Sequence, residues 1–247
     1  MPNSYFQFKQ FTIHQERSAM KVTTDGCLFG AWVAEKVKSM PRGKSGGLNS
    51  LDVGGGTGLL SLMIAQKNPE LQIDAIELDE EAAIQAKENA LASPWKNHIN
   101  VILADARSFE FPSKYDIIVS NPPFYENELK GDNKKKNLAH HNEGLLLPEL
   151  LSLIRKNLNP SGQFFLLLPY KRNLEIKDLI LEHEFDISEM VFVRQSVKHD
   201  YFRIMLCGNL DKHESTETII DELSIWDEKQ QYTGEFVELL RDYYLYL

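Results

Sequence analysis

Leu51-Asp52-Val53-Gly54-Gly55-Gly56-Thr57-Gly58 joins the end of one apolar run to the start of another. Leu48–Val53 reads as a strand. Leu59–Lys67, with Leu59, Leu62 and Met63 at helical spacing, reads as a helix. Glycines between them let backbone come close to a ligand, and the helix start beyond offers free N–H groups. The dinucleotide fingerprint Gly-x-Gly-x-x-Gly/Ala does not fit, because counted from Gly54 its third position falls on Leu59. The spacing present is Asp-x-Gly-x-Gly-x-Gly. A glycine-rich turn of no function is the plainer alternative, weakened by the strand before it and the helix after it.

Outward from this turn the alternation repeats. Leu71–Leu78 reads as a strand, Glu80–Leu91 as a helix, and Ile99–Leu103 and Tyr115–Val119 as strands. Leu145–Leu158 is a helix stopped by Asn159-Pro160-Ser161-Gly162. Gln163–Leu168 is a strand and Leu174–Glu182 a helix. Ile187–Arg194 and Tyr201–Cys207 are two strands joined by a short polar loop, hence antiparallel. The pattern predicts an α/β fold, a mostly parallel sheet with helices on both faces and a terminal antiparallel pair. Upstream, residues 5–14 alternate apolar and polar, as in a strand or hairpin arm. Thr24 or Asp25 is a good N-cap for a helix over 26–38, whose Leu28, Phe29, Trp32, Val33 and Val37 share one face. Residues 41–47 form a connection. Near the C-terminus, Gly234–Leu245 reads as a helix capped by Thr233 that packs back on the core. One domain over 1–247 is expected: an arm and helix over 1–45, a core over 46–210 and an acidic extension over 211–247.

The strand ends carry the polar chemistry. Glu77, in Ile76-Glu77-Leu78-Asp79, is placed to accept from both hydroxyls of a ribose. Asp79 is better explained as the N-cap of the following helix. Asp105 could accept from an adenine amino group, or make a local turn. The fourth strand runs into Asn121-Pro122-Pro123-Phe124. Two prolines cannot continue a central strand, so a stiff turn sets one carboxamide and one ring just beyond it.

Composition bounds the alternatives. The chain has 247 residues, 43% hydrophobic and 26% charged, enough for a full core. No apolar run approaches a membrane span, and the N-terminus has no signal pattern. Cys27 and Cys207 sit in apolar contexts and match no disulfide or metal spacing, as in a reduced, cytoplasmic protein. His140 and His141 lack a third ligand nearby, so no metal is expected. Net charge is −9, but ten acids against three bases between Asp211 and Leu247 contribute −7 of it. A basic face elsewhere remains compatible with RNA binding. Lys134, Lys135 and Lys136 lie in a long polar loop after the Asn-Pro-Pro-Phe turn. That loop is either a flap meeting RNA phosphates or simply solvated. Lys171, Arg172, Arg194, Lys198, His199 and Arg203 could extend such a surface.

Asp52–Gly58, Glu77, Asp105 and Asn121–Phe124 together resemble class I S-adenosylmethionine-dependent methyltransferases, of the branch acting on planar exocyclic or amide nitrogens. The resemblance covers residues 48 to 124. Lys21-Val22-Thr23-Thr24-Asp25-Gly26, Tyr232–Phe236 and Asp242–Leu245 further resemble bacterial tRNA (adenine-N(6)-)-methyltransferases, which act on adenine-37 of a valine tRNA. The family implies a Rossmann-like, seven-stranded fold, S-adenosyl-L-methionine as cofactor and tRNA as partner of a monomer. It implies cofactor contacts at Thr24, Asp52, Gly54, Gly56, Gly58, Glu77, Leu78, Asp105 and Ala106. Catalysis would fall to Asn121, Pro122 and Phe124; the candidate RNA contacts Lys134, Lys135, Lys136 and Arg172 are read from their charge. Gly55 departs from related loops, which often carry a larger residue there. The alternatives are a protein-glutamine methyltransferase, since a glutamine amide presents the same planar NH₂, and a non-catalytic RNA-binding module.

Overall fold

The computed structural model describes residues 3–41, 47–122, 145–210 and 217–247. The chain opens with a small antiparallel hairpin, β1 (Tyr5–Gln7) and β2 (Thr12–His14), followed by α1 (Thr24–Ser39). Then come β3 (Asn49–Val53), α2 (Leu59–Lys67), β4 (Gln72–Glu77), α3 (Glu80–Leu91), β5 (Ile99–Leu103) and β6 (Tyr115–Ser120). The second half runs α4 (Leu147–Asn157), β7 (Leu158–Pro169), α5 (Asn173–Glu182), β8 (Phe185–Ser196), β9 (Tyr201–Leu210), β10 (Ile219–Trp226) and α6 (Gly234–Leu240).

Among the described residues, eight strands form the main sheet in the order β10-β8-β9-β7-β6-β3-β4-β5. Strands β7, β6, β3, β4 and β5 are mutually parallel, and β9 runs antiparallel to both β7 and β8. The expected antiparallel pair is therefore present, but the sheet has one strand more than the expected seven. The extra strand is β10, parallel to β8. Its Ile219, Ile220, Asp221 and Glu222 are exposed and only its second half is buried, which is how edge strands keep unpaired backbone from further pairing.

Period-two alternation divides the core between the two faces of the sheet. Ile117 and Val119 of β6, with Phe165 and Leu167 of β7, pack in one cluster with α1, α2 and Tyr243. Ile118, Phe164, Leu166 and Leu168 point the other way and meet α4 and α5. Both cysteines are buried in the first cluster, where burial pushes the Cys27 thiol up to about 12 and that of Cys207 up to about 11.

Several boundaries move for local reasons. The cap of α1 is Thr23, whose hydroxyl accepts from the Gly26 N–H at 3.3 Å, and not Thr24 or Asp25. The Asn159–Gly162 stretch does stop α4, but it is already part of β7. The β6–β7 register shifts between Tyr115 and Ile117, which accommodates Pro160, a residue without an N–H. Gly162 is required there, since a Cβ would lie 2.9 Å from the Asp116 carbonyl. Helix α6 ends at Leu240 instead of Leu245 because Tyr243 turns inward, its hydroxyl donating to the Met63 carbonyl at 2.9 Å.

Candidate active site

Parallel pairing brings the carboxyl ends of four strands to one edge. Val53 lies opposite Ile76 and Ser120, and Glu77 opposite Leu103. The Ser120 hydroxyl donates to the Val53 carbonyl at 2.7 Å, tying the end of β6 to the end of β3. Beyond this edge lies a cavity of about 590 Å³. Its walls include Gly54, Gly56, Glu77, Leu78, Asp105, Ala106, Asn121 and Pro122, so the expected strand-end residues converge. A smaller space of about 50 Å³ adjoins it, lined by Thr23, Gly26, Gly54, Thr57 and Asn121.

The glycine turn owes its shape to backbone conformations that other residues adopt at a penalty. Gly54, Gly56 and Gly58 have φ of 78°, 54° and 80°. Gly55 has ordinary φ but no room: a Cβ there would lie 3.2 Å from the Ala75 Cβ. The small residue that departs from related loops is thus fitted to β4 beneath it.

Each acid has a distinct environment. Glu77 clamps the turn, its Oε2 accepting from the Gly56 N–H at 2.8 Å and its Oε1 from Leu78 and Asp79 N–H groups at 2.8 and 2.9 Å. Asp79 caps α3 by accepting from the Ala82 N–H at 2.8 Å. The Arg107 guanidinium holds Asp105 below the usual carboxylate range. Asp52 is wholly buried. Its Oδ2 accepts from the Ser61 hydroxyl at 2.7 Å, its Oδ1 has no partner, and burial raises its pKa to about 6. Asp52 lines neither cavity and supports the turn from beneath. Thr24 lines neither cavity. From that helix start it is Thr23 and Gly26 that line the smaller space.

The Asn121 carboxamide sits against the start of α1. A Cβ on Gly26 would lie 3.9 Å from its Nδ2, and that nitrogen is 3.9 Å from the Met20 sulfur. Among the described residues its Oδ1 is buried without a hydrogen-bond partner. Pro123, Phe124, Lys134, Lys135, Lys136, His140 and His141 lie outside the described residues. Arg172 follows β7 and pairs with Glu175 at 2.7 Å.

Sequence reasoning missed one wall. Ser18, Ala19 and Met20 line the larger cavity, as do Arg107 and Leu145. The 15–22 segment is folded by its own polar groups: the Gln15 Oε1 accepts from Val22 N–H at 2.8 Å, and the Ser18 hydroxyl donates to the Met20 carbonyl. Asn89 of α3 ties it to the glycine turn. Its Nδ2 donates to the carbonyls of His14 and Thr57 at 2.8 and 2.9 Å, and its Oδ1 accepts from His14 N–H at 3.0 Å. A buried amide at the apolar face of α3 was the available signal.

Strand order, glycine turn and strand-end acids define a methyltransferase architecture, and a family model described as "Methyltransferase small domain" matches residues 37–198. The fold is similar to that of a predicted O-methyltransferase from Agrobacterium tumefaciens (TM-score 0.63, 14% identity, 88% of this chain and 96% of that one). It is also similar to a glycopeptide N-methyltransferase solved with S-adenosyl-L-methionine (TM-score 0.54, 12% identity, 75% and 94%). A tRNA1(Val) (adenine(37)-N6)-methyltransferase of Bacteroides thetaiotaomicron is 36% identical over 248 residues, covering 100% of both chains. The chain belongs to the tRNA1(Val) (adenine(37)-N6)-methyltransferase family. Among the described residues no helix is long and apolar enough to cross a membrane, and no His, Cys, Asp and Glu are grouped to hold a metal.

Proposed function

We propose that this protein methylates the exocyclic N6 amine of adenine-37 in the anticodon loop of a valine tRNA, in the cytoplasm, with S-adenosyl-L-methionine as donor. The observation that carries the reading is the buried, unpaired Oδ1 of Asn121 beside the glycine turn. A buried carbonyl oxygen without a donor is an expensive arrangement, and a substrate N–H relieves it.

The cavity fits the donor. Glu77 Oε2 accepts one backbone N–H and keeps a lone pair suited to a ribose hydroxyl, while Oε1 already accepts two. Asp105 offers an acceptor for an adenine amine. Exposed Leu78 and the flanks of Ala104 and Ala106 suit the faces of a flat ring. Gly54 and Gly56 allow close backbone approach. When bound, the sulfonium supplies an electrophilic methyl group. The chain supplies position and acceptors. Asn121 Oδ1 and the Pro122 carbonyl accept from the two N–H bonds of the target amine, and these bonds strengthen as that nitrogen becomes positive. No general base has to act before methyl transfer. The rigid Asn-Pro turn preorganises both acceptors, and Phe124 is assigned to stack on the target base. Lys134, Lys135, Lys136 and Arg172 are assigned to RNA phosphates.

The test is nucleoside mass spectrometry of tRNA from a strain lacking the protein, with restoration by the purified enzyme and labelled donor. N6-methyladenosine should vanish from the valine tRNA and return. Label appearing in a translation factor or ribosomal protein and not in tRNA would replace this reading with glutamine methylation.

A further inference from the structure

A second feature stands at the same sheet edge as Asn121. Pairing of Ser120 with Leu166 sets Pro122 level with Leu168, and β7 continues to Pro169. Pro169 pairs with Arg203 near the start of β9, and Arg203 pairs in turn with Val193 near the end of β8. The residues just past these points therefore project at the edge where the cavity opens. Three rings meet there: Tyr170 to Tyr201 at 5.0 Å between centroids, Tyr170 to Phe192 at 5.2 Å, and Phe192 to Tyr201 at 5.6 Å. All three are half-buried, so the cluster is anchored yet reaches solvent. Tyr170 and Phe192 rest on the α4–α5 side of the core, as does Leu145 of the cavity wall.

Cations rim the rings. The Arg194 guanidinium lies 5.5 Å from the Tyr201 ring centre and its Nε donates to the Ser224 hydroxyl at 2.7 Å. Lys171 and Lys198 are exposed on the two adjoining turns and make no ion pair among the described residues. Acids are present too, Asp200 beside Tyr201 and Glu222 near Arg194, but Glu222 pairs with Arg194 at 3.7 Å. The two lysines are left to answer an incoming anion.

Half-exposed rings framed by cations are the arrangement that holds single-stranded nucleic acid, rings for bases and cations for phosphates. Spacing agrees. β9 lies two strands from β6, about 10 Å sideways at the usual strand separation. Nucleic acid at roughly 3.4 Å or more per phosphate crosses that gap within a few nucleotides.

We propose that Tyr170, Phe192 and Tyr201, with Lys171, Arg194 and Lys198, form a docking platform for the anticodon-loop nucleotides that flank the target adenine. The proposal rests on the RNA reading of the adjacent cavity. It assigns to this edge the grip on the strand, while the Asn121 turn handles the reacting base.

Two variants test it, K171A/K198A and Tyr201→Leu, each on the full chain. Binding of unmodified tRNA is measured across a salt series without donor, and KM and kcat for tRNA with donor. Affinity for the donor is the control for folding. The lysine pair should weaken tRNA binding about tenfold and lower the slope of log affinity against log salt by about 1 to 2. Tyr201→Leu should weaken binding at least several-fold with the salt slope unchanged, because a stacking contact releases no counterions. In both, KM for tRNA should rise while kcat and donor affinity hold. Wild-type tRNA affinity and salt slope in the lysine pair would overturn the platform, even where the enzyme methylates tRNA normally. Absence of methyl transfer to tRNA by the wild type would instead overturn the reading of the cavity, and the donor-free binding series still decides the platform.

Discussion

Arg107 grips Asp105 along its whole carboxylate: Nε lies 2.9 Å from Oδ1, Nη2 lies 2.7 Å from Oδ2, and the Arg107 backbone N–H donates to Oδ1 at 2.9 Å. The Nε–H is shared between the two oxygens, lying 3.1 Å from Oδ2 as well, so both oxygens are held by Arg107. A carboxylate held this way stays ionised and cannot rotate.

Arg107→Ala should therefore weaken donor binding by about tenfold, because Asp105 would have to be ordered at the moment of binding. Arg107→Lys should rescue it only in part, since an ammonium cannot reproduce the two-pronged contact. Calorimetric titration with S-adenosyl-L-methionine or its demethylated product measures both. Wild-type affinity in Arg107→Ala would mean that Asp105 does not touch the donor.

Asn121→Ala should leave donor affinity within about twofold of wild type and reduce kcat by roughly 10² to 10³, the range for removing one charge-stabilising hydrogen bond. Removing a buried, unpaired oxygen should not lower thermal stability. A fall in melting temperature with normal turnover would make Asn121 a structural residue.

Asp52 makes a signed prediction about pH. Burial raises its pKa from 3.8 to about 6, so the folded protein holds this proton more tightly than the unfolded chain does. The contribution of Asp52 to stability is thus fully present below about pH 3.8 and is lost as pH rises through about 6. Relative to Asp52→Asn, which cannot ionise, the wild type should gain on the order of 3 kcal/mol as pH falls from 7 to 4. Urea denaturation of both proteins across that range measures the difference. A gap independent of pH would mean that Asp52 titrates normally.

The glycine turn separates two kinds of constraint. Gly54→Ala adds a methyl group to open space but at a φ of 78°, so only backbone strain, about 1–2 kcal/mol, should appear. Gly55→Ala has permitted backbone but crowds the Ala75 Cβ. It should be rescued in part by Ala75→Gly, whereas Gly54→Ala should not. Denaturant midpoints of the single and double variants decide it.

Where a residue's role depends on its strand and turn, the sequence was sufficient. Periodicity located β3, α2, α3 and β5 to within a residue, and the Asp-x-Gly-x-Gly-x-Gly spacing with Glu77, Asp105 and Asn121 marked the cavity edge. β10 was missed because Asp221 and Glu222 interrupt its apolar run, and only pairing with β8 accounts for a charged edge strand. The 18–20 wall was missed for a different reason. Ser18, Ala19 and Met20 have no period, and their place is set by Gln15 and by Asn89 from a helix some 70 residues away. The cap of α1 was read as Thr24 or Asp25 and lies one residue earlier, since Thr and Asp both cap a helix and only the extended backbone at Thr23 selects among them.

The hairpin that leads into that wall is also held from the far end of the chain. Phe8 bridges to Tyr244, and the Lys9 N–H donates to the Tyr243 carbonyl at 2.8 Å. During synthesis on the ribosome the glycine turn and Asn121 emerge long before Tyr243. A nascent chain thus possesses the parts that would bind a nucleoside while the clasp over them is still missing. That clasp arrives late in translation, and a truncation between Trp226 and Tyr243 should keep every described strand of the sheet while leaving the hairpin beside the cavity untied.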